Sequence, residues 1–90
     1  MATVERTTIR IASGKWQLRC SSTDVLHVCT IDNEINVWYR RDAEAEAGPG
    51  CHVVLVPDGG TIPTEGVYAG TLVLYAGTVV LHVFLQTEAP

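Results

Sequence analysis

The sequence predicts an all-β protein of six to seven short strands with little or no helix, and three observations carry that prediction. Apolar, β-branched and aromatic residues recur with a period of two along much of the chain. The intervening segments are rich in Gly, Pro, Asp, Asn and Ser, the residues that tolerate turn geometry. Finally, residues 68–85 contain two apolar runs around Ala76-Gly77 with no charged residue between Tyr68 and Leu85, the pattern of a hairpin at the centre of a small β-fold. Short turns between successive strands favour an antiparallel meander, closed as a barrel or folded as a sandwich.

Each element follows from its residues. In 3–11, Ile9 and Ile11 share a face and Arg10 takes the other, which makes a half-buried strand. Ser13-Gly14 permits a bend, after which 15–20 alternates again and turns Trp16 and Leu18 to the core. Ser21-Ser22-Thr23-Asp24 reads as a turn. Val25–Ile31 and Ile35–Arg41 form a hairpin through Asp32-Asn33-Glu34, because Asp and Asn accept left-handed backbone angles. Strict alternation puts Val25, His27, Cys29 and Ile31 on one face, and Leu26, Val28 and Thr30 on the other. In the partner strand, Ile35, Val37 and Tyr39 oppose Asn36, Trp38 and Arg40. Residues 42–50 form a loop, since Gly48-Pro49-Gly50 stops any helical turn in the preceding Ala/Glu segment. His52–Val56 is a short buried strand, 57–66 a long turn, and 86–90 a polar tail.

Ninety residues form one domain spanning 1–90. A chain of this size buries only roughly 60–65% of the surface it exposes when unfolded, so its core is modest. Apolar residues on both faces of several strands call for a second covering layer. Either the sheet closes on itself or one face meets another copy, and a homo-oligomer is expected. The net charge is −4, with ten acidic residues against six basic ones scattered over Arg6, Arg10, Lys15, Arg19, Arg40 and Arg41. Such a surface does not track the phosphates of a nucleic-acid duplex. No run is apolar and long enough for a membrane helix. Three cysteines without a close pairing motif, and an N-terminus lacking a basic region followed by an apolar core, point to free thiols in a reduced intracellular setting.

Asn36-Val-Trp38, a Gly-containing loop, Ile62-Pro63, Tyr68-Ala-Gly-Thr71 and Leu81-His-Val-Phe84 occur in that order. From about Asp24 to Gln86 the set resembles a family of small uncharacterised accessory proteins of tailed bacteriophages. Their usual ending is a Tyr-x-Gly-Thr strand followed by a Trp-His-Val-Phe-Glu strand. The chain departs from that pattern in three places. Pro57-Asp58-Gly59-Gly60 stands where the family often has Gly-Thr-Gly-His, and Leu81 and Leu85 replace the flanking Trp and Glu. The resemblance implies an accessory protein acting in the cytoplasm of the bacterial host, and it implies no named activity.

The candidate chemical groups are weighed against packing. His27 with Cys29, and Cys51 with His52, lack the convergent spacing of a zinc site, so no metal or other cofactor is expected. His82 can be paired on paper with Cys29 or Cys51 as a dyad, but those thiols sit in apolar runs, which oppose thiolate formation. Asp42, Glu44 and Glu46 lie on a solvated segment with nothing to separate their acidities. Gly59-Gly60 could offer N–H groups to a phosphate, although a plain turn accounts for them better. Trp16, Trp38, Tyr39, Tyr68 and Tyr75 are first of all packing residues. Trp38, Tyr39, Arg40 and Arg41 form the one place where aromatic surface meets cations. With His82, flanked by Leu81 and Val83 and sharing a face with Val80 and Phe84, they are the candidate binding residues.

The expected function is therefore a non-enzymatic binding protein that modulates a host or antiviral-defence protein. A second class is an oligomeric small-molecule binder that sequesters a nucleotide signal through Arg40, Arg41 and an aromatic platform. A minor virion component ranks third.

Overall fold

The computed structural model describes residues 1–9, 15–18, 20–42 and 50–87. Among these, seven strands are joined by turns and two short 3-10 segments. They are β1 (Ala2–Ile9), β2 (Lys15–Leu18), β3 (Val25–Ile31), β4 (Glu34–Asp42), β5 (Cys51–Pro57), β6 (Val67–Leu74) and β7 (Val79–Thr87). The all-β expectation holds. All pairings are antiparallel, in a three-stranded sheet ordered β1-β4-β3 and a four-stranded sheet ordered β2-β5-β7-β6.

The order is not that of a meander. Only β3–β4 and β6–β7 are hairpins of consecutive strands; β1 pairs with β4 and β2 with β5, so the chain changes sheet between β1 and β2, returns between β2 and β3, and changes again between β4 and β5. Long-range pairing won over local pairing because β1 and β4 match over eight positions, from Ala2 opposite Asp42 to Ile9 opposite Ile35. Arg10, Ile11, Ser13-Gly14 and most of the 42–50 loop lie outside the described residues.

The inward faces of the two sheets make one cluster. Ile9, Val28, Ile35 and Val37 come from the first sheet. Leu18, Cys51, Val53, Leu72, Leu74, Leu81, Val83 and Leu85 come from the second, and Trp16 packs against the whole. Period-two alternation explains most of this set, since Ile35 and Val37, like Leu81, Val83 and Leu85, are two residues apart. Asn36 points away from that cluster yet is only 4% exposed. Its side chain is satisfied: Oδ1 accepts from the Thr8 hydroxyl at 3.0 Å, and Nδ2 donates to the Glu34 carbonyl at 3.2 Å.

Alternation fails in one stretch of β3. The register slips between Val25, opposite Tyr39, and His27, opposite Trp38, so Leu26 is an extra residue. The slip moves Val25 from the His27 side to the side of Val28, where it packs on the core, and leaves Leu26 and His27 exposed.

The β3–β4 turn is made by Asp32 and Asn33 at φ +51° and +61°, the two left-handed residues of a tight hairpin turn. In the terminal hairpin Tyr75, Ala76 and Gly77 have φ of +49°, +54° and +89°. The two tips are tied together, because the Tyr75 amide donates to the Asn33 side-chain oxygen at 2.8 Å. Thr30 on β3 also donates to the Val73 carbonyl on β6 at 3.4 Å. The terminal hairpin does not sit wholly at the centre, as its sequence suggested. β7 is flanked on both sides, whereas β6 ends its sheet and its outward residues are exposed.

Residues 58–66 fold over the outer face of the second sheet through two turns. Gly60 N–H bonds to the Pro57 carbonyl at 2.9 Å, and Gly66 N–H to the Pro63 carbonyl at 3.0 Å. The third residue of the first turn is Gly59 at φ +80°, but in the second it is Glu65 at φ +58°. A left-handed residue with a Cβ costs roughly 1–2 kcal/mol, partly offset by the greater chain entropy of Gly when unfolded. Glu65→Gly is therefore expected to raise stability by about 0.5 kcal/mol, read as a higher urea midpoint at unchanged slope. A lower midpoint would contradict this reading of the turn.

Candidate functional site

The site is built where the two short C-terminal motifs meet. In a regular strand, residues three apart face opposite ways. In β6 the register shifts between Tyr68, opposite Phe84, and Gly70, opposite Val83, so Ala69 is extra. Gly70 has φ +148°, backbone that only glycine adopts readily. This bulge lets Tyr68 and Thr71 emerge on the same, outward face of the sheet, beside His82 and Phe84 of β7. Bulges commonly re-aim side chains in this way.

Four polar side chains then form a continuous chain. The Tyr68 hydroxyl lies 2.5 Å from Thr71 Oγ1. Thr71 Oγ1 lies 3.0 Å from His82 Nδ1, and His82 Nε2 lies 2.6 Å from Asp58 Oδ1. Asp58 belongs to the turn after β5, so the chain links that turn to the edge strand across the central strand. The His82 side chain is 32% exposed and that of Asp58 79%. Beneath them Phe84 is buried on the outer face, with the Tyr68 ring edge-on at 5.8 Å between centroids and an interplanar angle of 63°. Gln86 Nε2 donates to the Thr64 carbonyl at 3.0 Å and fastens the far end of the loop.

Together the turn, strands and aromatic floor enclose a shallow pocket of about 270 Å³, lined by Val56, Pro57, Asp58, Gly59, Gly60, Ile62, Tyr68, His82 and Phe84. Asp58 is the one carboxylate among those residues, and no Lys or Arg is among them. Gly60 is needed for the close turn. A Cβ there would meet Val56 Cγ1 at 2.7 Å and the Pro57 carbonyl at 3.0 Å.

The five residues singled out from the sequence do not converge. His82 lies in this pocket, facing away from the shared core on the second sheet. Trp38 and Arg40 lie on the outward face of the first sheet, where the Trp38 ring sits 5.9 Å from that of His27 and Arg6 is opposite in register. Tyr39 and Arg41 alternate to the other side of β4, opposite Glu5 and Thr3 of β1. Arg40 and Arg41 are both exposed. The proposed aromatic and cationic platform is thus split by the pleat, leaving Trp38 with Arg40 and separating Tyr39 with Arg41.

The other candidates resolve as packing or surface. Cys51 is in the shared core, on the face opposite His82, while His82 bonds to Asp58 and Thr71. No group of three His, Cys, Asp or Glu side chains is placed to hold a metal ion among the described residues. Asp42 ends β4, and Glu44 and Glu46 lie outside the described residues. No helix among them is long and apolar enough to cross a membrane.

Cys20 contacts Cys51, and its thiol is pushed above its ordinary value of 9.0. Burial is the largest cause; the hydrogen bond with Cys51 pulls the other way, and the Asp24 carboxylate adds to the rise. Because the folded-state value is raised, the folded chain holds its proton where the unfolded chain loses it. The associated stability is complete below the ordinary thiol range and is lost as pH rises through it toward the folded-state value. Iodoacetamide is therefore expected to label Cys20 more slowly than a free thiol at neutral pH, and faster as the solution becomes strongly alkaline. Labelling at neutral pH at the rate of free cysteine would contradict the half-buried thiol with its raised value.

Sequence reasoning found His82 and missed its partners. Asp58 was read only as part of a turn, and Thr71 as a strand residue. The available signal was Gly70 inside an otherwise β-branched run, the mark of a bulge. A protein-family model described as a domain of unknown function, DUF7352, matches residues 1–90. No curated protein and no solved structure matches the chain. The chain belongs to the family of domains of unknown function designated DUF7352.

Proposed function

We propose that this chain is a non-enzymatic binding protein whose partner is another protein, engaged through β6 and the His82 pocket. The observation that carries the proposal is the exposed apolar surface gathered on β6 and its flanking loops. Ile62, Tyr68, Val73 and Tyr75 are all more than half exposed, and exposed apolar residues beside a polar-rimmed pocket are the composition of a protein interface. Tyr68, edge-on to Phe84 and tethered to Thr71, is the pre-organised anchor of that surface. The resemblance to phage accessory proteins directs the proposal to a host or antiviral-defence protein in the bacterial cytoplasm.

In this reading the two sheets stack as an open sandwich, joined at the β3–β6 side by side-chain bonds rather than by a continuous ladder. Unpaired edges remain for a second copy, so the chain forms a homo-oligomer.

The test is native mass spectrometry on tagged protein recovered from infected host cells, with Tyr68→Ser as the comparison. A co-purifying protein at fixed stoichiometry with the wild-type chain, and lost with Tyr68→Ser, is the expected result. A bound small molecule in place of a protein would overturn it in favour of the sequestering reading. Light scattering on the same sample is expected to give a mass above that of one chain, and a clean monomer would refute the oligomer.

A further inference from the structure

The four-residue chain has a direction, and that direction specifies what the pocket accepts. An ionised carboxylate only accepts hydrogen bonds, so Asp58 requires a proton on His82 Nε2. In a neutral ring Nδ1 is then a bare acceptor, and the Thr71 hydroxyl must donate to it. Thr71 has no second proton, so the 2.5 Å contact is made by the Tyr68 hydroxyl donating to Thr71. Both ends of the chain therefore present acceptors to an incoming group: the remaining lone pairs of the Tyr68 oxygen and the outward oxygen of Asp58. With one carboxylate and no cationic side chain among the lining residues, and with Tyr68 and Phe84 supplying aromatic surface, the pocket is complementary to a positively charged donor.

We propose that the His82 pocket receives a guanidinium or ammonium group, supplied by an Arg or Lys side chain of the protein partner. This rests on the protein-binding reading above and names the chemistry at its centre.

The test uses the full chain and N-acetyl-arginine-N-methylamide as probe, followed by NMR through the Gly60 and Tyr68 amides and the His82 ring. A saturable shift is expected, at least about tenfold weaker for the uncharged citrulline analogue and for Asp58→Asn. Asp58→Asn is exposed, and its spectrum outside the pocket reports that it is folded. Equal binding of the citrulline probe, undiminished binding by Asp58→Asn, or no shift at all would overturn the proposal. Spermidine distinguishes the source of the charge. If it binds at least about tenfold more tightly than the arginine probe, the cation is a free polyamine and the assignment to a protein side chain is refuted. These outcomes are read on the isolated chain, so they stand or fall separately from recovery of a partner in cells.

Discussion

Phe84→Ala is expected to lower stability by about 3 kcal/mol and to erase the pocket. Phe84 is 9% exposed although it lies on the outward face of the second sheet. It is covered by the Tyr68 ring and by the 58–66 loop, where a Cβ on Gly66 would stand only 3.4 Å from Phe84 Cβ. Truncation removes the floor on which loop and ring rest, and the cavity opens directly under the Tyr68–Thr71–His82–Asp58 chain. Phe84→Leu keeps most of the volume and is expected to cost about 1 kcal/mol. Urea unfolding measures both, and the slow exchange expected of the Gly60 and Gly66 amides, each bonded within its turn, reports whether the loop remains docked. A loss below about 1 kcal/mol for Phe84→Ala would mean that the loop does not depend on this side chain.

Leu74→Ala is expected to cost a similar amount, about 3 kcal/mol, by a different route. Leu74 is 1% exposed at the end of β6, on the inward face, where it belongs to the cluster shared by both sheets. Its neighbour Val73 points the other way and is 54% exposed. Val73→Ala is therefore expected to change stability by less than about 0.5 kcal/mol. The pair tests the inside–outside assignment of β6, since a reversed strand would exchange the two effects. For a chain of this length total stability is on the order of 5–13 kcal/mol, so either large-to-small change removes a sizeable part of it. Coincident thermal transitions by far- and near-ultraviolet circular dichroism would show that the loss is one of global stability.

The two hairpins were legible because their turns carry left-handed residues between β-branched runs, and the structure puts Asp32, Asn33 and Ala76-Gly77 at those turns. Core membership was legible wherever alternation ran undisturbed, as in Ile35 and Val37. The strand order was not, because nothing local in β1 says that its partner lies some thirty residues away; that choice depends on the fit of whole strands. The one error in assigning a face arises at an extra residue, and so does the side-chain meeting in β6 that the sequence did not suggest. Leu26 shifts Val25 toward the core, and Ala69 with Gly70 brings Tyr68 and Thr71 together. Counting by twos cannot survive an inserted position. Asp58 was hidden for another reason. A Pro-Asp-Gly-Gly segment is a turn whether or not its carboxylate meets a histidine, and only folding of the loop over β7 decides that. Trp38, Tyr39, Arg40 and Arg41 illustrate the converse, since adjacency in a strand separates side chains.

The central claim is that Tyr68, Thr71, His82 and Asp58 form one directed hydrogen-bond chain, and a long-range proton–nitrogen correlation spectrum of the His82 ring tests it most directly. With His82 assigned by comparison with His82→Gln, the ring is predicted to carry its proton on Nε2 and to be bare at Nδ1. Thr71→Val, which removes the donor to Nδ1, is predicted to alter that nitrogen's shift while leaving the fold intact. A ring protonated at Nδ1, or one averaging equally between its two tautomers, would contradict the directed chain and the cation specificity inferred from it.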